Sequence, residues 1–258
     1  MKKIAVAKSG SKTQLLKLKE DYLWYLDHRA RHLAGTFKRR SKVTPLLLKY
    51  IAELYRAAHL ELKNGEDFKA AYHAPVTADL EFLIARFLLH YSHLKKRQWK
   101  IYLRSGKKTV PDIRIEKDGA TLAIIELKAK AGWMQYFLSE DRFKEDLRRF
   151  KEKKSKFDPR EGVKQMRQQL RKYSSAYGLS PEGVFMLLPT LALVDRVKYG
   201  RKFKDYKKTF VKHSRLPADN LIILSKNPRL DLSNPRVLGK TAQSTRELER
   251  FMKKITRL

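Results

Sequence analysis

The chain has 258 residues, 42% of them hydrophobic, which is enough for one large domain with a real core. Lys and Arg outnumber Asp and Glu by 59 to 27, and the net charge of +32 is spread along the chain, which favours a polyanionic partner, most simply nucleic acid. Cysteine is absent, so disulfides and thiolate metal sites are excluded, and no transmembrane-length run or signal-peptide pattern appears; the expectation is a cytoplasmic protein without a membrane partner.

Met1–Ser11 is short and basic. Lys12–Leu33 reads as a helix, with Leu15, Leu18, Tyr22, Tyr25 and Leu26 at helical spacing. Gly35–Lys42 is a basic break. Thr44-Pro45 reads as an N-cap followed by proline at the first helical position. Leu47, Ile51, Leu54, Tyr55 and Ala58 form the apolar stripe of a second helix, which Lys63–Glu66 ends at Asn64-Gly65. Residues 1–73 are therefore expected to be a helical appendage, serving dimerisation or DNA contact.

A third helix spans about Thr77–Lys95. Asp79, Arg86 and His90 fall on one side, expected to face solvent, while Glu81 falls on the other among Ile84, Ala85 and Leu88. A carboxylate on an apolar face needs a partner or a role. His90 and His93 form an H-x-x-H pair, but with no cysteine and His90 on the outer side a zinc site is not expected.

Trp99–Arg104 reads as a strand. Val110–Glu116 alternates, with Ile113 and Ile115 on one face and Asp112, Arg114 and Glu116 on the other. Asp118-Gly119 signals a hairpin turn. Thr121–Lys128 is a mostly apolar run, as in a strand buried on both faces, yet it ends in Glu126-Leu127-Lys128. Glu126 and Lys128 point the same way because side chains repeat every second residue along a strand. A strict two-residue turn would put Asp112 opposite Ile125, on the wrong face from Glu126. Bringing the two acids together requires a three-residue loop pairing Lys117 with Thr121, or a bulge near Pro111 with a similar effect.

The stretch from Arg142 to Lys156 interleaves Phe143, Leu147 and Phe150 with basic residues, including Arg148 and Arg149, and reads as an amphipathic helix with a basic outer face. Glu161–Tyr177 is a helix with Val163, Met166, Leu170, Tyr173 and Tyr177 on its apolar side. Gln169 and Tyr173 share a face, and Gln165 lies one turn earlier. Gly183–Leu188, Leu191–Val194 and Asn220–Ser225 read as strands. Between them, Arg201, Lys202, Lys204, Lys207 and Lys208 alternate with Tyr199, Phe203, Tyr206 and Phe210, a mixture suited to a strand or loop laid along a nucleic-acid backbone, or to a solvated connection. Asn227–Pro235 is turn-rich, and Ser244–Leu258 closes the chain as a basic helix. A phosphate-binding loop and a nucleophilic serine elbow are both absent.

Pro111-Asp112 followed by Glu126-Leu127-Lys128 resembles the PD-(D/E)XK nuclease superfamily, which includes most type II restriction endonucleases and many repair and recombination nucleases. Pro75–Lys226 carries the resemblance, and the order helix, strand, hairpin, helix, strand agrees with it. It implies an α/β fold: a restriction-endonuclease-like mixed central sheet flanked by helices, over residues 74–230, with the N-terminal helical appendage before it and a basic tail or helix at 231–258. It also implies catalysis by Asp112, Glu126 and Lys128 with Glu81. Mg²⁺, or Mn²⁺ in its place, would be held by Asp112, Glu126, the Leu127 carbonyl and Glu81. Gln169-x-x-x-Tyr173 resembles an element of exonuclease-type members and would support that site together with Gln165.

The implied function is a Mg²⁺-dependent DNA endonuclease leaving 5′-phosphate and 3′-hydroxyl ends. A homodimeric, sequence-specific type II restriction enzyme is favoured over a structure- or end-directed repair or recombination nuclease. The reading from another class is a non-catalytic basic DNA-binding protein.

Overall fold

The computed structural model describes residues 11–40, 42–63, 69–73, 76–104, 110–128, 140–156, 158, 160–190, 203–227 and 243–257. Its centre is a five-stranded mixed sheet of β3 (Lys100–Leu103), β4 (Ile113–Lys117), β5 (Ala120–Leu127), β6 (Val184–Leu188) and β7 (Leu221–Ile223), in that spatial order. β3, β4 and β5 form an antiparallel meander; β5, β6 and β7 run parallel.

Helices cover both faces. Ile113, Ile115, Ile125, Leu127, Phe185 and Leu187 pack into one core with α1 (Ser11–Arg40), α2 (Thr44–Ala58), α3 (Thr77–Leu94) and α7 (Glu247–Ile255). Val184, Met186, Leu188, Leu221 and Ile223 form a second core with α5 (Glu161–Ala176) and α6 (Phe203–Ser214). Strand residues alternate between these cores because successive side chains leave a strand on opposite faces. α4 (Glu140–Lys151) carries the basic stretch from Arg142 to Lys151.

Several expectations are corrected. α1 continues through Gly35 to Arg40. Phe37 sits against Phe87 and Tyr91, with centroids 6.4 and 5.2 Å away, and that packing holds the helix past the glycine. The side of α3 bearing Asp79, Arg86 and His90 packs on α1 instead of facing solvent. Arg86 pairs with Asp27, and His90 Nε2 lies 2.7 Å from the same carboxylate. The Asp27 carboxyl is partly buried, which opposes ionisation, yet Arg86 and His90 hold it below the usual range.

Thr44 is already helical. Its N–H and that of Val43 donate to Glu249 Oε1 at 2.9 and 2.8 Å, so a carboxylate from α7 caps α2. α2 ends at Ala58, and β1 (His59–Lys63) pairs antiparallel with β2 (Lys69–His73), so the N-terminal region is not wholly helical. Asn64-Gly65, read as a helix stop, lies outside the described residues.

The apolar stripe of α2 is buried in the chain's own core, as are Leu26, Ala30 and Leu33 of α1. Leu15, Leu16, Leu18 and Trp24 of α1 are exposed. The expected closing helix is present as α7, and it is a core element: Leu248, Phe251, Met252 and Ile255 are buried, and Phe251 meets Phe185 edge-on at 4.8 Å. The expected strand 191–194 lies outside the described residues, as does most of the turn-rich segment 227–235.

Candidate active site

The turn between β4 and β5 has two residues, with Lys117 paired to Ala120 and both Asp118 and Gly119 at positive φ, 52° and 82°. That is the backbone a tight hairpin with right-handed strand twist demands. The three-residue loop is therefore not used. Instead the register shifts between Ile115 and Glu116: Glu116 pairs with Thr121 but Ile115 with Ala123, leaving Leu122 as the extra residue of a bulge in β5. Beyond it, Ile113 pairs with Ile125, and the same register carried one residue further sets Asp112 against Glu126. The bulge needed to unite the acids is present, at Leu122 rather than near Pro111.

Both acids are almost wholly buried, Asp112 at 3% exposure and Glu126 at 2%. Asp112 Oδ2 accepts the Leu127 N–H at 2.7 Å, and Arg104 Nη1 approaches Oδ1 at 3.5 Å. Glu126 Oε1 accepts from Lys128 Nζ at 2.5 Å and from Gln169 Nε2 at 2.9 Å. The Tyr173 hydroxyl donates to Glu126 Oε2 at 3.2 Å. Lys128 is itself placed by the sheet, since its N–H donates to the Leu187 carbonyl at 3.0 Å.

The electrostatics follow from two acids in a dry place. Burial, then the Glu126 charge, pushes the Asp112 carboxyl up to about 6, against the pull of the Leu127 N–H, Lys128 and Arg104. Glu81, half-buried on α3, is pushed up to about 7 by burial and by Asp112, with Glu126 adding to the repulsion and Arg104 and Lys128 opposing it. The apolar face of α3 thus delivers Glu81 to the same electrostatic neighbourhood as the β4–β5 acids. Tyr173 is likewise raised well above the ordinary phenol range, by burial and the Glu126 charge.

α5 presents Gln169 and Tyr173 one turn apart, and Gln169 Nε2 also donates to the Tyr173 hydroxyl at 2.6 Å. Gln165 is not part of this group. It is exposed, and its amide donates to Glu161 at 3.3 Å. Sequence reasoning missed Arg104, the cation beside Asp112, which follows β3 as an ordinary exposed-edge arginine in the sequence. It also missed the Val110 carbonyl, which lies 3.4 Å from the Tyr173 hydroxyl.

The basic residues expected to hold nucleic acid divide. Lys204 and Lys208 are exposed, and they lie on a helix, α6, rather than on a strand or loop, because Phe210 is buried in the second core and anchors that segment. Lys207 is engaged with Glu247 at 2.5 Å. Arg148 is exposed but paired with Glu145 and Glu152, both at 2.7 Å; Arg149 is exposed. Arg201 and Lys202 lie outside the described residues.

Among the described residues, no three His, Cys, Asp or Glu side chains are grouped as a ready metal-ligand cluster. The chemistry of the donors still fits a hard divalent cation. Burial and the neighbouring Glu126 charge raise the proton affinity of Asp112, and a bound cation would relieve that repulsion with the oxygen ligands such ions prefer. No described helix is long and apolar enough to cross a membrane. Comparison with protein-family models, with curated proteins and with solved structures gives no match for this chain.

Proposed function

We propose that the protein is a Mg²⁺-dependent DNA nuclease with a restriction-endonuclease-like core, hydrolysing phosphodiester bonds at Asp112, Glu126 and Lys128. The observation that carries this reading is the convergence of these three side chains, with Glu81 in electrostatic reach, at the end of a bulged hairpin. Asp112, Glu126, the Leu127 carbonyl and Glu81 are the candidate ligands. A divalent ion there would supply Lewis-acid polarisation of the scissile phosphate and a lowered water pKa.

The chain's own groups have distinct tasks. Lys128, now paired with Glu126, places a cation where negative charge builds on phosphorus. Gln169 and Tyr173 hold the Glu126 carboxylate in one orientation from α5. Arg104 sits beside Asp112 and partly balances its charge. The exposed Lys204 and Lys208 of α6, with Arg149 of α4, supply backbone contacts to a polyanion.

Two roles within this class are separable. A sequence-specific restriction enzyme cutting both strands is most simply a two-fold dimer, and the exposed Leu15, Leu16, Leu18 and Trp24 of α1 offer a surface for it. The Gln169–Tyr173–Glu126 contact favours a structure- or end-directed nuclease, by its likeness to exonuclease-type members. Incubating the protein with long linear DNA in Mg²⁺, with sedimentation in parallel, tests both. Discrete bands from a dimer indicate restriction; end-trimming by a monomer indicates repair or recombination. No metal-dependent cleavage of any DNA refutes the nuclease and leaves the non-catalytic binder.

A further inference from the structure

The face of α5 turned away from Gln169 and Tyr173 carries Lys164, Arg167 and Arg171, and these line a cleft of about 690 Å³ with Arg160 and Arg215. The acids of this cleft are already engaged: Asp158 pairs with Arg160 at 2.9 Å, and Glu161 accepts the Gln165 amide. Arg167 is fixed in place, its Nε donating to the His213 carbonyl at 2.5 Å. That bond uses one of five guanidinium donors. Among the described residues, Arg167, Arg171 and Arg215 have no carboxylate partner. Arg215 holds a left-handed backbone, φ 58°, where the chain turns out of α6. The cations are close enough that Arg171 and Arg215, after burial, push the Arg167 guanidinium below its usual range.

The same three arginines rim an adjoining pocket of about 190 Å³, floored by Leu170, Val184, Leu216, Pro181 and Pro217. Like charges gathered beside an apolar hollow lack the anion that would offset their repulsion. Guanidinium forks match phosphate oxygens and stack on planar groups. An apolar hollow next to them suits the uncharged part of the same ligand.

We propose that the Arg167–Arg171–Arg215 cleft is a nucleotide-binding site, holding a phosphate against the three guanidinia and the attached nucleoside in the apolar pocket. It lies across α5 from the acidic site and does not depend on cleavage there. The nucleotide unit has two sources, a nucleic-acid strand passing over α5 or a free nucleotide.

The test is calorimetry on the full chain carrying Asp112→Ala, with adenosine 5′-monophosphate, adenosine, inorganic phosphate and a short single-stranded oligonucleotide as probes. The double variant Arg171→Ala/Arg215→Ala is compared with the charge-matched Arg250→Ala/Lys253→Ala, which alters a different exposed basic surface. The expected result is saturable one-to-one binding of the monophosphate, at least tenfold tighter than adenosine or inorganic phosphate. The first double variant weakens it at least tenfold and the second leaves it unchanged. Tighter binding of the oligonucleotide than the monophosphate, lost in the first double variant, assigns the site to a strand; the reverse order assigns it to a free nucleotide. Equal losses in both double variants, or a monophosphate that binds no better than inorganic phosphate, overturns the proposal.

Discussion

The Asp112 carboxylate accepts the backbone N–H of Leu127 across 2.7 Å, so the acid on one strand is pinned to the residue that follows the acid on the next. That bond makes the site depend on strand register. Side-chain direction reverses with a one-residue slip, and the bulge at Leu122 sets the register in which Asp112 and Glu126 share a face.

The shell around Glu126 should matter for rate without touching substrate. Tyr173→Phe and Gln169→Ala each remove a donor to the carboxylate. Each is expected to lower metal affinity or cleavage about 10- to 100-fold. Titration of cleavage against Mg²⁺ should show a raised half-saturating concentration. Gln165→Ala, on the exposed side, should leave both unchanged.

The acidic site has a defined pH signature. Asp112 and Glu81 hold their protons to about 6 and about 7 when folded, against ordinary values of 3.8 and 4.5. Their folded pKa values are raised, so the stabilisation they give is full below the ordinary values and is lost as pH rises through the folded ones. In the metal-free protein the urea midpoint should therefore fall between pH 5 and pH 8. Glu81→Gln should remove the upper part of that fall. Cleavage should follow the opposite course, declining as pH drops below about 7, because protons compete with the cation for the same oxygens.

Much of this is readable in residue order. Asp118-Gly119 announces the turn, the Glu126-Leu127-Lys128 ending announces charge on a buried strand, and Gln169-x-x-x-Tyr173 places two polar groups on one helix face. What residue order hides is set by distant parts of the chain. The Leu122 bulge depends on how both strands meet their neighbours. Arg86 and His90 look solvated in the sequence because Asp27 lies about sixty residues earlier in the chain. The cap on α2 comes from Glu249, 205 residues from Thr44.

That cap predicts a stability effect. Glu249→Ala leaves the N–H groups of Val43 and Thr44 and the Thr44 hydroxyl buried without their acceptor. The loss should be on the order of 3 kcal/mol in urea unfolding. Glu249→Gln keeps one carbonyl oxygen as acceptor and should lose less.

The basic surface should separate into phosphate-binding groups and struts. Lys204→Ala/Lys208→Ala should flatten the dependence of log K on log salt by about 0.9 for each phosphate left without its cation. Lys207→Ala should leave the slope unchanged and lower stability, because its partner is Glu247. Equal slope changes from all three lysines would mean that Lys207 also reaches phosphate.

The most direct measurement is supercoiled plasmid DNA incubated with the protein in Mg²⁺, in EDTA, and with the Asp112→Ala variant in Mg²⁺. The account predicts nicked or linear product with Mg²⁺ alone. It predicts none in EDTA and at least a 100-fold slower reaction for Asp112→Ala, with DNA binding retained because removing an acid lowers repulsion with phosphate. Cleavage by Asp112→Ala at the unaltered rate, or cleavage undiminished in EDTA, would contradict it.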